Sequence, residues 1–381
     1  MSSAAISAAA HHLVKRAVSG VPQAISIAGQ PKNGDDSKEA SPVVLAVLVA
    51  TMLAGALAMG ALHYTLGMVV PALAIVEDSQ PAVYVPIDGE DDDGVPKNTP
   101  GSATDLEGTG PQGPITAKIR TTLKHLRARG GFWAPFRGLA VFIFYFFCRG
   151  ILISIFSLGA SYSHIFARAL ATIAADVALT ALSVTWIHTV ISEPSANARV
   201  FWKRIPAFRT WKKVVPAVAL QSVASHIAFL VPLYLGIALH SFRMDDDSLT
   251  KLPQLGKPSA GTAAGSVGIF LLTLALTVLI DIPASVALVR VAASALSPDV
   301  DTIVPFDRTF NGKVGPAILG GGCLGLLEAW KGFTWPSRVR LMKLLAKYFA
   351  ISVAVGAAFV VIFAAEIISF STKTKLVDGK N

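Results

Sequence analysis

Arg149, Asp176 and Asp281 each stand in a long stretch that holds almost no other ionisable side chain. A charge in such surroundings is costly, so it serves ion binding, proton transfer, recognition of a charged solute, or pairing with an opposite charge. Asp176 belongs to a polar file, Arg168, Thr172, Asp176 and Thr180, whose members are four residues apart and share one helical face. Thr273, Thr277, Asp281 and Ser285 make a second file of the same spacing. The two are related, because DVALTALSVTWIHTVIS from Asp176 returns as DIPASVALVRVAASALS from Asp281, with the aspartate and the closing serine in register.

Two readings of these residues stand side by side. Either the aspartates face a central cavity and carry a solute or proton role, or they are packing hydrogen-bonders or half-buried ions paired with Arg168 or Arg290. Arg149 likewise either contacts a solute or pairs with a buried acid such as Asp176. His63, His164 and His188 lack paired spacing and read as packing hydrogen-bonders, while the small residues Gly55, Ala56, Gly60 and Ala61 let helices approach closely. Tyr145, Phe146 and Phe147 read as lipid-facing or packed. No His-rich box, nucleophile elbow or phosphate loop is present, and Cys148 and Cys323 offer neither a disulfide framework nor a metal cluster. The expectation is therefore no catalytic residue, no metal and no cofactor.

The elements that hold these residues must be membrane spans. Of 381 residues, 53% are hydrophobic and only 15% charged, too little polar surface for an ordinary soluble domain. Crossing about 30 Å of hydrocarbon takes about 20 apolar residues in a helix. Six runs satisfy that: Pro42 to Val76, Gly138 to Leu158, Tyr162 to Ser192, Val214 to His240, Ser266 to Ser297 and Arg338 to Phe370. Gly312 to Ala329 is an alternative short seventh, and six is the preferred count.

The net charge of +9 reads as topology rather than as a nucleic-acid signal. Lys118 to Arg129, Arg199 to Lys213, and Arg308, Lys313 and Lys331 form three basic connections, which alternate with the uncharged Gly159 to Tyr162 and the acidic Ser241 to Thr262. The basic connections share one side and both termini the other. ITAKIRTTLKHLRARGG, following Pro114 and ending in Gly130 and Gly131, predicts an amphipathic surface helix in the first connection.

The predicted fold is an all-α membrane protein of six transmembrane helices in three pseudo-repeats of two, with short amphipathic surface helices between paired spans. Its parts are a disordered tail at 1–41, a first repeat at 42–160 with an acidic disordered insertion at 77–113, and a second repeat at 161–242. A linker at 243–265, a third repeat at 266–370 and a tail at 371–381 follow. The N-terminal tail reads either as a plain disordered segment or as a transit peptide. The insertion contains GEDDDG and offers a surface to a basic protein partner.

Gly131, FWAP, Phe136, Arg137, Gly138 in the first unit matches Gly325, LLEA, Trp330, Lys331, Gly332 in the third, and both read G-x4-aromatic-basic-Gly. This resembles the mitochondrial carrier family, whose repeats run odd helix, surface helix, then this step and an even helix. The second unit keeps only Trp211, Lys212 and Lys213. In that family the odd helices carry P-x-[DE]-x-x-[KR]-x-[KR]. Here Pro283 and Arg290 remain with Ser285 and Leu288 at the charged positions, Pro71 remains alone, and Ala178 replaces the proline of the second unit. The family closes its pore on the matrix side with those charges, so that gate is eroded here.

In the family, even helices contact the solute at mid-depth. Eleven residues after the glycine of each step stand Arg149 and Lys343, with the patch from Ser222 to His226 at the fourth-span counterpart. The resemblance thus implies Arg149, Lys343 and the patch with His226 as solute-contacting candidates, which join Arg168, Asp176 and Asp281 of the polar files. It implies a solute carrier that moves an anionic or zwitterionic metabolite by alternating access, in the mitochondrial inner membrane. The alternative is a non-transporting scaffold or fusion and organisation factor of the outer membrane, as some divergent carrier-like proteins are. The partners expected are the bilayer and a small-molecule metabolite, with no nucleic acid.

Overall fold

The computed structural model describes residues 42–78, 114–157, 165–194, 205–206, 208–238, 260–297, 299–315 and 322–378. The expected N-terminal tail, nearly all of the acidic insertion, Gly159 to Tyr162, His164, Arg199, Lys203, Arg204 and most of the linker lie outside them. The described residues are helical apart from turns, short extended stretches and an isolated bridge between Ser192 and Thr302.

Helix α1 (Pro42–Leu62) passes through a π-helical segment, His63–Val69, into α2 (Val70–Val76). A surface helix α3 (Ile119–Gly130) leads to α4 (Leu139–Phe156). Helices α5 (Ile165–Ala178) and α6 (Thr180–Ile191) are bent by 60° at Leu179. The long α7 (Phe208–Ala238) follows, then α8 (Ala260–Leu276), a second π segment Thr277–Asp281, and α9 (Ile282–Ser294). The short α10 (Leu326–Lys331) precedes α11 (Trp335–Asp378). Five helices are long and apolar enough to cross a membrane, and six if the bent pair α5–α6 counts as one.

The sequence expectations need correction at several ends. The first surface helix starts at Ile119 and not at Pro114, because the buried Glu77 carboxylate takes the amides of Ile115 and Thr116 into a separate 3-10 turn and Lys118 is extended. Helix α8 begins at Ala260, inside the expected linker, and α11 continues to Asp378, inside the expected tail. Gly312 to Ala329 supplies no span among the described residues: 312–315 and 322–325 are not helical, and α10 has six residues.

Each π segment ends two residues before a proline, with one residue, Val70 or Ile282, between them. Pro71 and Pro283 lack the N–H that would continue the ladder and crowd the carbonyl four residues back. The chain widens instead: the N–H of Val70 bonds Thr65 O and that of Ile282 bonds Thr277 O, each five residues back. At the corresponding place of the remaining odd span, where Ala178 replaces proline, the helix bends at Leu179.

The buried core sits at one end of the bundle, where α2, α6 and α9 pack on one another. Val69, Val70, Leu73, Val76, Val184, Ile187, Ile191, Val286 and Val291 are almost wholly shielded there. The segment 299–312 covers this end. Ile303 N–H bonds Ile191 O, and Asp307 N–H bonds the Asp78 carboxylate. Elsewhere the helices turn large apolar side chains outward, among them Leu57, Phe147, Leu170, Phe229, Leu279 and Val360. A solvent of hydrocarbon matches that surface as water does not.

Gly131 and Gly138 hold the aromatic-basic-Gly step in shape. Gly131 ends α3 at φ +74°, a left-handed position that favours glycine. Gly138, also at +74°, opens α4, and a Cβ there would meet the Trp186 ring at 3.1 Å.

Candidate functional site

Two carboxylate clusters flank one face of α7. In the first, Arg149 Nε donates to Asp176 Oδ1 at 2.6 Å and its Nη2 to Oδ2 at 3.3 Å. Tyr145, one turn before Arg149, donates its hydroxyl to Oδ1 at 2.9 Å, and Ser222 donates to Oδ2 at 2.7 Å. Three helices, α4, α5 and α7, therefore converge on one carboxylate that is only 7% exposed. Removing one member of such a buried pair leaves an uncompensated charge, at a cost of about 3–5 kcal/mol.

The second cluster is chemically different. Asp281 closes the π segment, and its Oδ1 accepts the Ser225 hydroxyl at 2.6 Å and Gln221 Nε2 at 3.0 Å. Gln221 Nε2 also donates to Ser225 Oγ at 3.1 Å, and its Oε1 is buried without a partner. No cation pairs with Asp281 among the described residues. Ser222 and Ser225, three residues apart on α7, thus serve the two aspartates of the internal repeat.

Between the clusters lies a central cavity of about 290 Å³ that touches five of the candidate spans. Its wall is mostly apolar, formed by residues such as Met68, Ile75, Phe142, Leu288 and Val289, with Tyr145, Ser183, Trp186, Gln221 and Ser285 as the polar members. Each cluster sends one side chain to this wall, Tyr145 from the first and Gln221 from the second. Pro71, Ser285 and Leu288, at the positions of the eroded carrier motif, line it too.

The two polar files meet this cavity at one position. Among their residues only Ser285 reaches the wall, while both aspartates turn to α7. Four-residue spacing marks a shared helical face but not the neighbour that face meets: Asp176 stands on unbroken α5, before the bend at Leu179, and meets Arg149 of α4 and Ser222 of α7. Thr172, Thr273 and Thr277 return their hydroxyls to the carbonyl one turn back.

The remaining candidates lie apart from the cavity. Arg168 and Lys343 occupy exposed positions, and His226 bonds the Ser222 carbonyl of its own helix at 2.7 Å. Arg290 is buried, with its guanidinium 4.9 Å from the Phe310 ring centroid and 5.7 Å from that of Phe333, and it donates to Gly332 O at 3.4 Å. Arg137 caps the end of α6 by donating to Thr189 O at 3.1 Å and to Ser192 O, the role a cation plays at a helix C-terminus. Lys331 is exposed. Arg290 and Arg137 thus help hold the covered end of the bundle together.

Sequence reasoning missed four contributors. Tyr145, read as packed or lipid-facing, is four residues from Arg149 and shares its face, which was the available signal. Gln221 adjoins the noted serine patch. Glu77 pairs with Arg340 at 3.5 Å, and Arg340 Nη2 also donates to the carbonyls of Ala74 and Glu77, tying the first span's end to α11. Glu366, an acid within the sixth expected span, accepts the Thr51 hydroxyl at 2.7 Å.

Outside the candidate spans, Asp307 is held below the usual carboxylate range. Burial works against that, but the amides of Asn311 and Thr309 and the Thr309 hydroxyl outweigh it. The Cys323 thiol is pushed up by burial, which suits an inert thiol rather than a nucleophile. No family model matches this chain, and no curated protein and no solved structure matches it.

Proposed function

We propose that the chain is a multi-pass membrane protein of carrier-like architecture, three two-span units around a central pathway, that moves a small solute by alternating access. The observation that carries this reading is the cavity lined by five candidate spans, mostly apolar, to which each carboxylate cluster contributes one polar side chain, Tyr145 and Gln221. Its apolar wall with a few hydrogen-bonding groups suits an organic solute with an apolar body and a polar end. An anionic or zwitterionic metabolite fits if its carboxylate or phosphate replaces Asp176 at Arg149 during the cycle. The reading assigns no catalytic step, no cofactor and no metal. A mitochondrial membrane, the inner one for a transporter, follows from the resemblance of the G-x4-aromatic-basic-Gly steps.

Purified protein in liposomes, loaded with a panel of organic acids, amino acids and neutral metabolites, tests the proposal. Uptake that is saturable and lost in Gln221→Leu supports it; no uptake of any compound, together with unchanged growth of cells carrying the variant, removes it.

One observation favours a second reading. The closed end is sealed by aliphatic side chains of α2, α6 and α9 where the carrier family has a charge network, and each aliphatic buried from water contributes about 1.5–3 kcal/mol. A seal of that kind suits a permanently closed bundle used as an outer-membrane scaffold, with the acidic insertion holding a basic partner. Fractionation of mitochondria and pull-down with residues 79–113 deleted separate the two.

A further inference from the structure

We propose that Asp281 is a proton-binding site whose charge state is passed to the central cavity through Gln221. The coupling of that proton to solute movement rests on the transport reading; the site itself rests on geometry alone.

Asp281 and Asp176 match in sequence register, yet of the two only Asp176 pairs with a cation among the described residues. Asp281 is met by groups that can serve either protonation state. When it is ionised, Oδ1 accepts from Ser225 Oγ–H and from Gln221 Nε2–H. When a proton from hydronium forms the O–H bond at Oδ1, releasing water, that O–H donates to Ser225 Oγ, since a hydroxyl both donates and accepts. The Ser225 hydrogen then turns to the carbonyl of Gln221, one helical turn back. Thr185 and Thr189 already make this bond within their own helix.

Gln221 reads the change. Its Nε2 is held by the carboxylate and by Ser225, while Oε1 is buried with no partner to fix the amide in its present orientation. A bond to an ionised acceptor is markedly stronger than one to a neutral acceptor. Protonation of Asp281 therefore loosens Gln221, a cavity-lining residue, and alters the donor presented to a bound solute.

Among the described residues, the elements packed against the π segment bring no charged side chain into contact with the aspartate. On α8, residues 264–276 include no ionisable side chain. On α7, His226 is engaged with Ser222 O, and Lys212 and Lys213 lie about 12 Å or more along the axis from Gln221. On α9, Arg290 is about 14 Å further along and stacks on Phe310 and Phe333.

Infrared difference spectroscopy of the full-length protein in lipid, stepped between alkaline and acid pH, provides the test. The expected result is a carboxylic-acid C=O band that appears on acidification, is lost in Asp281→Asn and is kept in Glu366→Gln. In Gln221→Leu and Ser225→Ala, which keep the carboxyl but alter its partners, the band shifts in frequency. A band that survives unchanged in Asp281→Asn, or no titrating band in the wild type, overturns the proposal. Sodium replacing choline at constant pH leaves the band unchanged; if sodium abolishes it, the site belongs to a metal cation and the proton assignment falls. Failure of the transport reading is distinguishable: absent uptake with the Asp281 band intact removes the carrier and leaves the site, whereas uptake without a titrating band removes the site and leaves the carrier.

Discussion

Asp176 and Asp281 occupy the same place in an internal repeat and bond serines of the same helix, yet one sits in an ion pair and the other among neutral donors. The difference originates in their neighbours. Helix α4 brings Arg149 and Tyr145 to Asp176, whereas no cation pairs with Asp281 among the described residues, and Lys343 is exposed on α11. A fixed charge pair gives rigidity and a lone carboxylate gives responsiveness. The repeat supplied two copies of one acid, and their surroundings gave them different chemistry.

The most severe way to break the comparison is to remove the cation. Arg149→Leu should destabilise the protein by about 3–5 kcal/mol, because Asp176 is left buried and unpaired. Thermal unfolding in detergent measures this, and Arg149→Leu with Asp176→Leu should recover most of the loss. If the double variant is no better than the single, the pair is not a unit. At Asp281 the expected cost is smaller. Asp281→Leu leaves Ser225 and Gln221 without their acceptor, for about 1–3 kcal/mol. An equal loss at the two sites would erase the distinction drawn between them.

Pro283→Ala sharpens the same contrast through the backbone. With an N–H restored, the π segment can relax to a regular helix and rotate Asp281 away from α7, so a cysteine pair at positions 225 and 281 should cross-link less efficiently. Unchanged cross-linking would show that packing, and not the proline, holds the π turn. The smallest effect lies at the covered end. Because Asp307 titrates below its ordinary range, its contribution is complete at neutral pH and is lost as pH falls through that lowered value. The protection of the Thr309 and Asn311 amides, corrected for the intrinsic slowing of exchange in acid, should fall as pH drops, and Asp307→Asn should remove the dependence.

Much of the architecture was legible because long apolar runs and basic connections obey bilayer physics, and the candidate spans fall on the runs that composition marks. Helix ends were less legible. Glu77 reaches across 38 residues to reshape the start of a surface helix, and no local pattern announces such a bond. The site was half legible: Asp176, Asp281, Arg149 and the serine patch were marked, and pairing of Arg149 with Asp176 was one of the two readings. Their orientation was not, since four-residue spacing puts side chains on one face without saying which neighbour it meets, and the serines that bond both aspartates lie 46 and 56 positions away.

The last helix closes against the first. Thr51 bonds Glu366 across 315 positions of sequence, and a Cβ on Gly55 would meet Phe359 at 3.0 Å. During synthesis this seam is therefore the final one to form. Until α11 emerges from the ribosome, α1 waits with its small-residue face and threonine uncovered, open to any passing helix that can supply a large side chain and an acceptor. A chain cut before α11 would leave that face uncovered, with the Thr51 hydroxyl deprived of its acceptor.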